Sequence, residues 1–253
     1  MTLIYLRSMP NTYFQFKQFR IEQAQSGMKV TTDGCLFGGW VASEIQKFKK
    51  EPSQILDIGT GTGLLSLMLA QVSELSRIDT VEINEQAFGE ATQNFKESKW
   101  SDRLSGHQTS IQDFQTDEKY DLIICNPPFF KNSKQGADSG KNQALHSSSL
   151  EAEDLLDHAI RLLDPDGSFY LIYPEQEMKA FKTMALTKEL FPIRQVIVRN
   201  QKNHPVFRVM THFRFSKGQE STTEMIIRDS DRKYTKESWE LLKDYYLAYN
   251  SPL

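Results

Sequence analysis

Two clusters in this chain have the residue types and spacing to do chemistry. The first is Asp57-Ile58-Gly59-Thr60-Gly61-Thr62-Gly63, set between a short apolar run and a helical pattern. Glycines let the backbone turn sharply and let a ligand approach closely, and the helix that follows opens with unpaired amide donors. The loop lacks the Gly-Lys-Ser/Thr ending of a phosphate-binding loop and departs from the dinucleotide pattern Gly-x-Gly-x-x-Gly. Its opening acid suits a cofactor with a positive amino group and a sulfonium, and would be poorly placed against a pyrophosphate. This predicts a cofactor site that uses Asp57, Gly59, Thr60, Gly61 and Gly63.

The second cluster is Asn126-Pro127-Pro128-Phe129, at the end of an apolar strand. The two prolines fix the backbone and remove two amide donors. An acceptor-rich turn remains, made of the Asn126 side-chain oxygen and nearby main-chain carbonyls. An exocyclic amine has two hydrogens to give, and accepting both directs its lone pair out of the base plane. Phe129 offers a ring face, and stacking a base on an aromatic ring is worth roughly 1–3 kcal/mol. Taken alone, the same four residues also make a rigid turn with a capping Asn and a core Phe. Behind the glycine loop they imply methyl transfer from S-adenosylmethionine to a base amine, with Asn126, Pro127 and Phe129 at the reacting centre.

Two carboxylates complete the cofactor reading. Glu82 follows Asp57 by 25 residues and ends the next strand beside Ile83, where a ribose-binding acid belongs in such folds. The competing reading is a cap on the helix after Asn84. Asp113 closes a third, weaker strand and is placed to accept from an adenine amino group; there too a helix cap competes.

The elements that must position these residues alternate. Strands are expected at Gln54–Ile58, Arg77–Ile83, Gly106–Ile111, Tyr120–Cys125 and Ser168–Tyr173, and helices at Leu36–Phe48, Leu64–Val72, Glu85–Lys99, Leu150–Leu163 and Glu175–Leu190. Such alternation marks a doubly wound parallel sheet. Pro165-Asp166-Gly167 reads as a turn. Ile193–Arg199 and Phe207–Phe215 read as an antiparallel pair. A polar break at Ser216–Thr223 then precedes a short strand, Met225–Ile227, and a helix from Lys236 to about Tyr249. The polar stretch 130–149 reads as a mobile loop, and loops of that length are usually functional or disordered.

Size and composition bound the class. The chain has 253 residues, 39% hydrophobic and 25% charged, enough for one well-buried α/β domain. No apolar run approaches the roughly 20 residues of a membrane span, and Leu3–Leu6 is too short for a signal-peptide core. Cys35 and Cys125 form no C-x-x-C pair, so neither a metal site nor a disulfide framework is expected. These features place the protein in the cytoplasm by default. Net charge is −3, yet seven basic residues and one acid lie between Lys188 and Lys217. Such a patch can bind phosphates on an acidic protein; the bland alternative is a solvated hairpin. Arg199, Lys202 and Arg208 from this patch, with Lys131 and His146 of the polar stretch, are the candidate RNA contacts, although His146 also fits a plain loop histidine.

The Asn-Pro-Pro-Phe motif resembles that of class I S-adenosylmethionine-dependent amino methyltransferases. More narrowly, three regions resemble the bacterial valine-tRNA adenine-N6 methyltransferases. They are Phe14-Gln15-Phe16-Lys17-Gln18-Phe19 with Met28 to Gly34, the two central motifs, and the tail from Arg228-Asp229-Ser230 through Tyr234-Thr235 to Tyr245-Tyr246-Leu247. The resemblance implies a Rossmann-like, seven-stranded, mostly parallel sheet with helices on both faces and an antiparallel last strand. It implies one methyltransferase domain over 1–253, with an N-terminal segment 1–34, a catalytic core 35–217 and a C-terminal strand and helix 218–253. It sets Thr31, Asp33 and Gly34 near the methionine end of the cofactor. It carries over Asp57, Gly59, Gly61, Glu82, Asp113 and Asn126 as cofactor positions, and Asn126 to Phe129 as the amine site. The implied substrate is the adenosine just 3′ of a tRNA anticodon, conventional position 37, with no metal and no membrane involved. Methylation of ribosomal RNA or of a protein glutamine amide through the same turn is the alternative reaction. A non-catalytic RNA-binding module is the alternative class, against which the intact loop and Asn126 speak.

Overall fold

The structure, a computed structural model, describes residues 12–128 and 151–247. A small hairpin, β1 (Tyr13–Gln15) and β2 (Arg20–Glu22), leads into α1 (Thr32–Ile45). The alternating part follows as β3 (Gln54–Ile58), α2 (Leu64–Val72), β4 (Arg77–Glu82), α3 (Glu85–Glu97), β5 (Leu104–Gln108) and β6 (Tyr120–Cys125). After residue 150 come α4 (Ala152–Leu162), β7 (Leu163–Tyr173), α5 (Glu175–Thr187), β8 (Phe191–Arg199), β9 (Val206–Arg214), β10 (Ser221–Ile226) and α6 (Lys236–Leu242).

Eight strands form one sheet in the order β10-β8-β9-β7-β6-β3-β4-β5. All neighbours are parallel except β9, which runs against both β7 and β8. The expected mixed, mostly parallel sheet is present, with one strand more than the seven expected. The antiparallel strand is the penultimate one, and β10 returns parallel to β8. Its first half, Ser221–Thr223, had the polarity of a break. An edge strand needs only its backbone paired, and four of its six residues are exposed. Pro165-Asp166-Gly167 survives as an irregularity inside β7, where the register against β6 jumps from Tyr120↔Leu163 to Leu122↔Ser168.

Both faces of the sheet are covered, and the strand period of two sorts side chains between them. In β6, Leu122 and Ile124 enter the core under α1 and α2, while Ile123 and Cys125 enter the core under α4 and α5. In β7, Tyr170 and Ile172 take the first side, and Phe169, Leu171 and Tyr173 the second. The N-terminal hairpin and residues 245–246 meet on the α1 side. Phe16 stacks on Phe19 with centroids 4.5 Å apart, Phe14 lies 5.7 Å from Tyr246, and the Lys17 amide donates to the Tyr245 carbonyl. Among the described residues no helix is long and apolar enough to cross a membrane.

α1 and the C-terminal helix touch at a glycine. A Cβ on Gly39 would lie 2.3 Å from the Leu241 carbonyl oxygen, and a backbone atom yields less readily than a side-chain tip. Overpacking of this kind costs about 1–3 kcal/mol. Gly39→Ala should therefore lower the melting temperature by roughly 2–4 °C for each kcal/mol lost. An unchanged melting curve would mean that the C-terminal helix shifts without cost.

Candidate active site

The glycine loop leaves the carboxyl end of β3, and the Asn126 turn leaves the carboxyl end of neighbouring β6. With β4 on the other side of β3, this is the point where strand order reverses, the usual ligand crevice of open α/β sheets. Gly59, Gly61 and Gly63 all have positive φ, at 71°, 56° and 82°. A Cβ at Gly63 would also strike the Phe95 ring at 2.4 Å. Asp57 is fully buried. Its Oδ2 accepts from Thr60 Oγ1 at 2.7 Å and Ser66 Oγ at 2.6 Å. Its Oδ1 is buried with no partner among the described residues. Burial pushes this carboxyl up to about 6, against the lowering effect of the two hydroxyls. Sequence reasoning aimed Asp57 at a cationic cofactor. The structure instead gives its carboxylate to the loop and to the first turn of α2.

A cavity of about 580 Å³ opens in front of the loop. Gly59, Gly61, Glu82, Ile83, Asp113, Asn126 and Pro127, seven of the expected residues, line it together. Glu82 Oε2 accepts from the Gly61 amide at 2.9 Å and Oε1 from the Asn84 amide at 2.8 Å. It is not the cap of α3, because Asn84 caps that helix by accepting from the Ala87 amide. Ile83 is 56% exposed and offers an apolar wall. Asp113 lies in a turn that no helix follows, which removes the helix-cap reading. Ser110 Oγ donates to its Oδ2 at 2.7 Å.

Ser26, Gly27 and Met28 close the cavity from the N-terminal segment, and sequence reasoning missed them as wall residues. They are held there from α3. The Glu90 carboxylate accepts the Gln25 and Ser26 amides, both at 2.6 Å. Asn94 accepts from the Glu22 amide and donates to the Glu22 and Thr62 carbonyls. The available signal was two buried polar residues four apart on the core face of an amphipathic helix.

Thr31, Asp33 and Gly34 lie behind the Asn126 turn and not on the cavity wall. Thr31 caps α1 by accepting from the Gly34 amide. Asp33 pairs with Arg208 of β9 at 2.9 Å. A Cβ on Gly34 would lie 3.6 Å from Asn126 Nδ2 and 3.3 Å from a Leu64 methyl, so the helix start backs the asparagine directly. Asn126 Oδ1 is buried and has no partner among the described residues. Pro127 is buried and Pro128 is exposed. Phe129, Lys131 and His146 lie outside the described residues, as does the 130–149 stretch.

The basic patch divides. Lys188 is paired with Asp157, Arg194 with Glu44, Arg199 with Glu224 and Arg208 with Asp33. Of the three RNA candidates within this patch, Lys202 alone has no ion-pair partner among the described residues. Cys35 and Cys125 are buried and not disulfide-bonded. Among the described residues no group of three or more His, Cys, Asp or Glu side chains is placed to hold a metal ion.

A family model described as the methyltransferase small domain matches residues 42–208. The chain belongs to this family. The tRNA1(Val) (adenine(37)-N6)-methyltransferase of Cytophaga hutchinsonii is 40% identical over 247 residues, covering 94% of this chain and 99% of the relative. The protein of the same description from Christiangramia forsetii is 39% identical over 243 residues, with 94% and 99% coverage. In fold, the chain is similar to a predicted O-methyltransferase of Agrobacterium tumefaciens, with a TM-score of 0.64 at 13% identity over 83% of this chain and 95% of that one. A ribosomal protein L11 methylase of Lactobacillus delbrueckii gives 0.51 at 15% identity over 79% and 84%.

The cavity of this methyltransferase fits S-adenosylmethionine. Glu82 and Asp113 supply acceptors for hydroxyl and amino donors. Ile83 and Ile111 supply apolar surface for a purine, and Gly59 and Gly61 let the ligand approach the main chain.

The buried Asp57 carries a pH signature. Its folded value of about 6 stands above the ordinary 3.8. The neutral form therefore favours the fold fully below about pH 4, and that contribution disappears as pH rises through about 6. At about 1.4 kcal/mol per pH unit, roughly 3 kcal/mol of stability should be lost across this window. Urea denaturation of Asp57→Asn should lack this loss between pH 4 and 7. Parallel pH profiles for parent and variant would show that Asp57 does not titrate there.

Proposed function

We propose that this chain transfers a methyl group from S-adenosylmethionine to N6 of an adenosine in a tRNA anticodon loop, at position 37 of a valine tRNA as in the names of its relatives. The observation that carries the reading is the buried Asn126 Oδ1, without a partner among the described residues, at the cavity wall. Bound in the cavity, the cofactor supplies an already activated methyl group, so the residues have only to bind, aim and exclude water. Asn126 Oδ1 accepts one amine hydrogen, and a main-chain carbonyl of the Asn126–Pro128 turn accepts the other. Glu82 holds the ribose hydroxyls and Asp113 the adenine amino group of the cofactor, with Ile83 against its ring. Thr31, Asp33 and Gly34 keep Asn126 in place, and Phe129 is the stacking surface for the target base. A stacked base is out of reach, and a loop adenosine flips at less cost than one in a duplex. A tRNA substrate sets the reaction in the cytoplasm.

Mass analysis of nucleosides from a full tRNA transcript incubated with enzyme and cofactor tests the reading. N6-methyladenosine in the anticodon loop is expected; N4-methylcytidine, or methyl-glutamine on a protein instead, overturns it. Asn126→Ala should slow turnover roughly a hundredfold or more, as lost transition-state dipoles do, with cofactor affinity little changed. Turnover within a few-fold of the parent would remove Asn126 from the amine site. Calorimetry on Glu82→Ala should show cofactor binding weakened by about 1.5–3 kcal/mol. An unchanged affinity in the folded variant would reject the ribose role.

A further inference from the structure

The registers across the sheet sort the basic residues by end. Cys125 pairs with Leu171, Tyr173 with Val209, Arg199 with Val206, and Ile226 with Arg199. The β8–β9 connection (200–205) and the turn after β10 (227–235) therefore project from the same carboxyl edge as Asn126. Phe191 pairs with Arg214 at the opposite edge, so Lys188, Arg214 and Lys217 face away from the site.

The two connections are built into one ridge. The Ile227 and Arg228 amides donate to the Arg199 and Asn200 carbonyls at 2.8 and 3.0 Å. Gln201 Nε2 donates to the Asp229 carbonyl at 2.9 Å, and Arg199 Nη1 to the His204 carbonyl at 2.7 Å. Asp229 turns its carboxylate onto the Asp231 and Lys233 amides. Arg232 sits at φ 63°, a left-handed conformation that costs a non-glycine residue. Arg228 lies over the Tyr234 ring at 4.2 Å and donates to the Arg232 carbonyl. Lys202, His204, Arg232 and Lys233 are exposed, and Arg228 is half-buried. Lys202, Arg228, Arg232 and Lys233 have no ion-pair partner among the described residues. Asp231 is the one exposed acid of the turn whose carboxylate makes no contact within it.

We propose that this ridge, Lys202, Arg228, Arg232 and Lys233 on the joined 200–205 and 227–235 turns, is where the protein grips the sugar-phosphate backbone of its RNA substrate. The proposal rests on the reading of the site as an RNA methyltransferase. Strands stand about 4.8 Å apart, which sets the ridge roughly 10–20 Å sideways from the Asn126 turn. That is a span of a few nucleotides from a base held at the turn. A chain of net charge −3 needs its cations gathered on the face that meets RNA, and this ridge gathers them on the active edge.

The test is equilibrium binding of an unmodified tRNA transcript across a salt series, read separately from methylation. In Lys202→Glu/Arg232→Gly/Lys233→Glu the glycine keeps the left-handed position. Affinity should fall at least tenfold, and the log–log salt slope should flatten by about 0.7–0.9 for each lost phosphate contact. The KM for tRNA should rise, with kcat at saturating tRNA and cofactor affinity unchanged. Lys217→Glu, at the far edge, should leave all of these alone. A triple variant that methylates tRNA with the parent's affinity and slope overturns the ridge. So does a parent that binds phosphatidylserine vesicles as tightly as tRNA. A parent that binds tRNA through the ridge yet leaves it unmethylated overturns the substrate reading and supports the ridge.

Discussion

The site depends on one stretch of backbone, the turn through Gly59, Gly61 and Gly63 in left-handed conformation. Only residues without a Cβ make this turn without strain, and the surroundings hold it from three sides. Asp57 grips Thr60 and Ser66 from behind. Glu82 takes the Gly61 amide from the next strand. Phe95 fills the place of a side chain at Gly63. Glu82 both shapes the loop and lines the cavity, so loop geometry and the cavity wall share one carboxylate. The Asp57 carboxyl, buried and displaced upward in pKa, is the energetic cost of that arrangement.

The N-terminal hairpin and the described C-terminal segment pack onto the helix-covered sheet. The hairpin and the C-terminal segment pack together on the α1 face, with Tyr245 Oη donating to the Met68 carbonyl of α2. Glu90 and Asn94 fix the 22–26 backbone over the cavity. The Asp33–Arg208 pair joins the start of α1 to β9, and Gly34 seats that helix start against Asn126. Residues far apart in the chain thus converge on the glycine loop and the Asn126 turn.

What the sequence made legible follows from what a single stretch of residues can encode. Tyr120–Cys125 was readable to the residue, because a strand buried on both faces is apolar throughout. The glycine loop was readable because backbone conformation restricts residue type. β10 was not, since an edge strand pairs through its backbone and its side chains need not be apolar. The start of α1 was missed because Thr31, Asp33 and Gly34 suit a turn as well as a capped helix. Asp57 and Glu82 were both read as acids toward the cofactor, and the structure sets Glu82 on the cavity wall while Asp57 bonds to Thr60 and Ser66. The basic run from Lys188 to Lys217 is continuous in sequence but divides across the sheet for a topological reason. Its two strands form an antiparallel hairpin, so Arg199 and Lys202 by the turn lie at the carboxyl edge, while Lys188, Arg214 and Lys217 at the strands' outer ends lie at the opposite edge.

In the proposed reaction the Asn126 turn discriminates by what it lacks. Its two prolines donate no hydrogen bonds, and leaving a buried acceptor unpaired costs about 1–3 kcal/mol. A base edge that presents an amine relieves that cost, and one that presents a carbonyl oxygen adds a second acceptor to it. On that reading the turn would separate bases that carry an exocyclic amine from uracil, which carries none. It does not by itself separate adenine from cytosine, or one adenosine of an RNA from another, because every such amine offers the same two hydrogens. That selection has to come from contacts that set which nucleotide arrives. On a protein of net negative charge these must be local. A rigid set of cations at a fixed distance along the active edge meets that requirement by geometry, without reading any base.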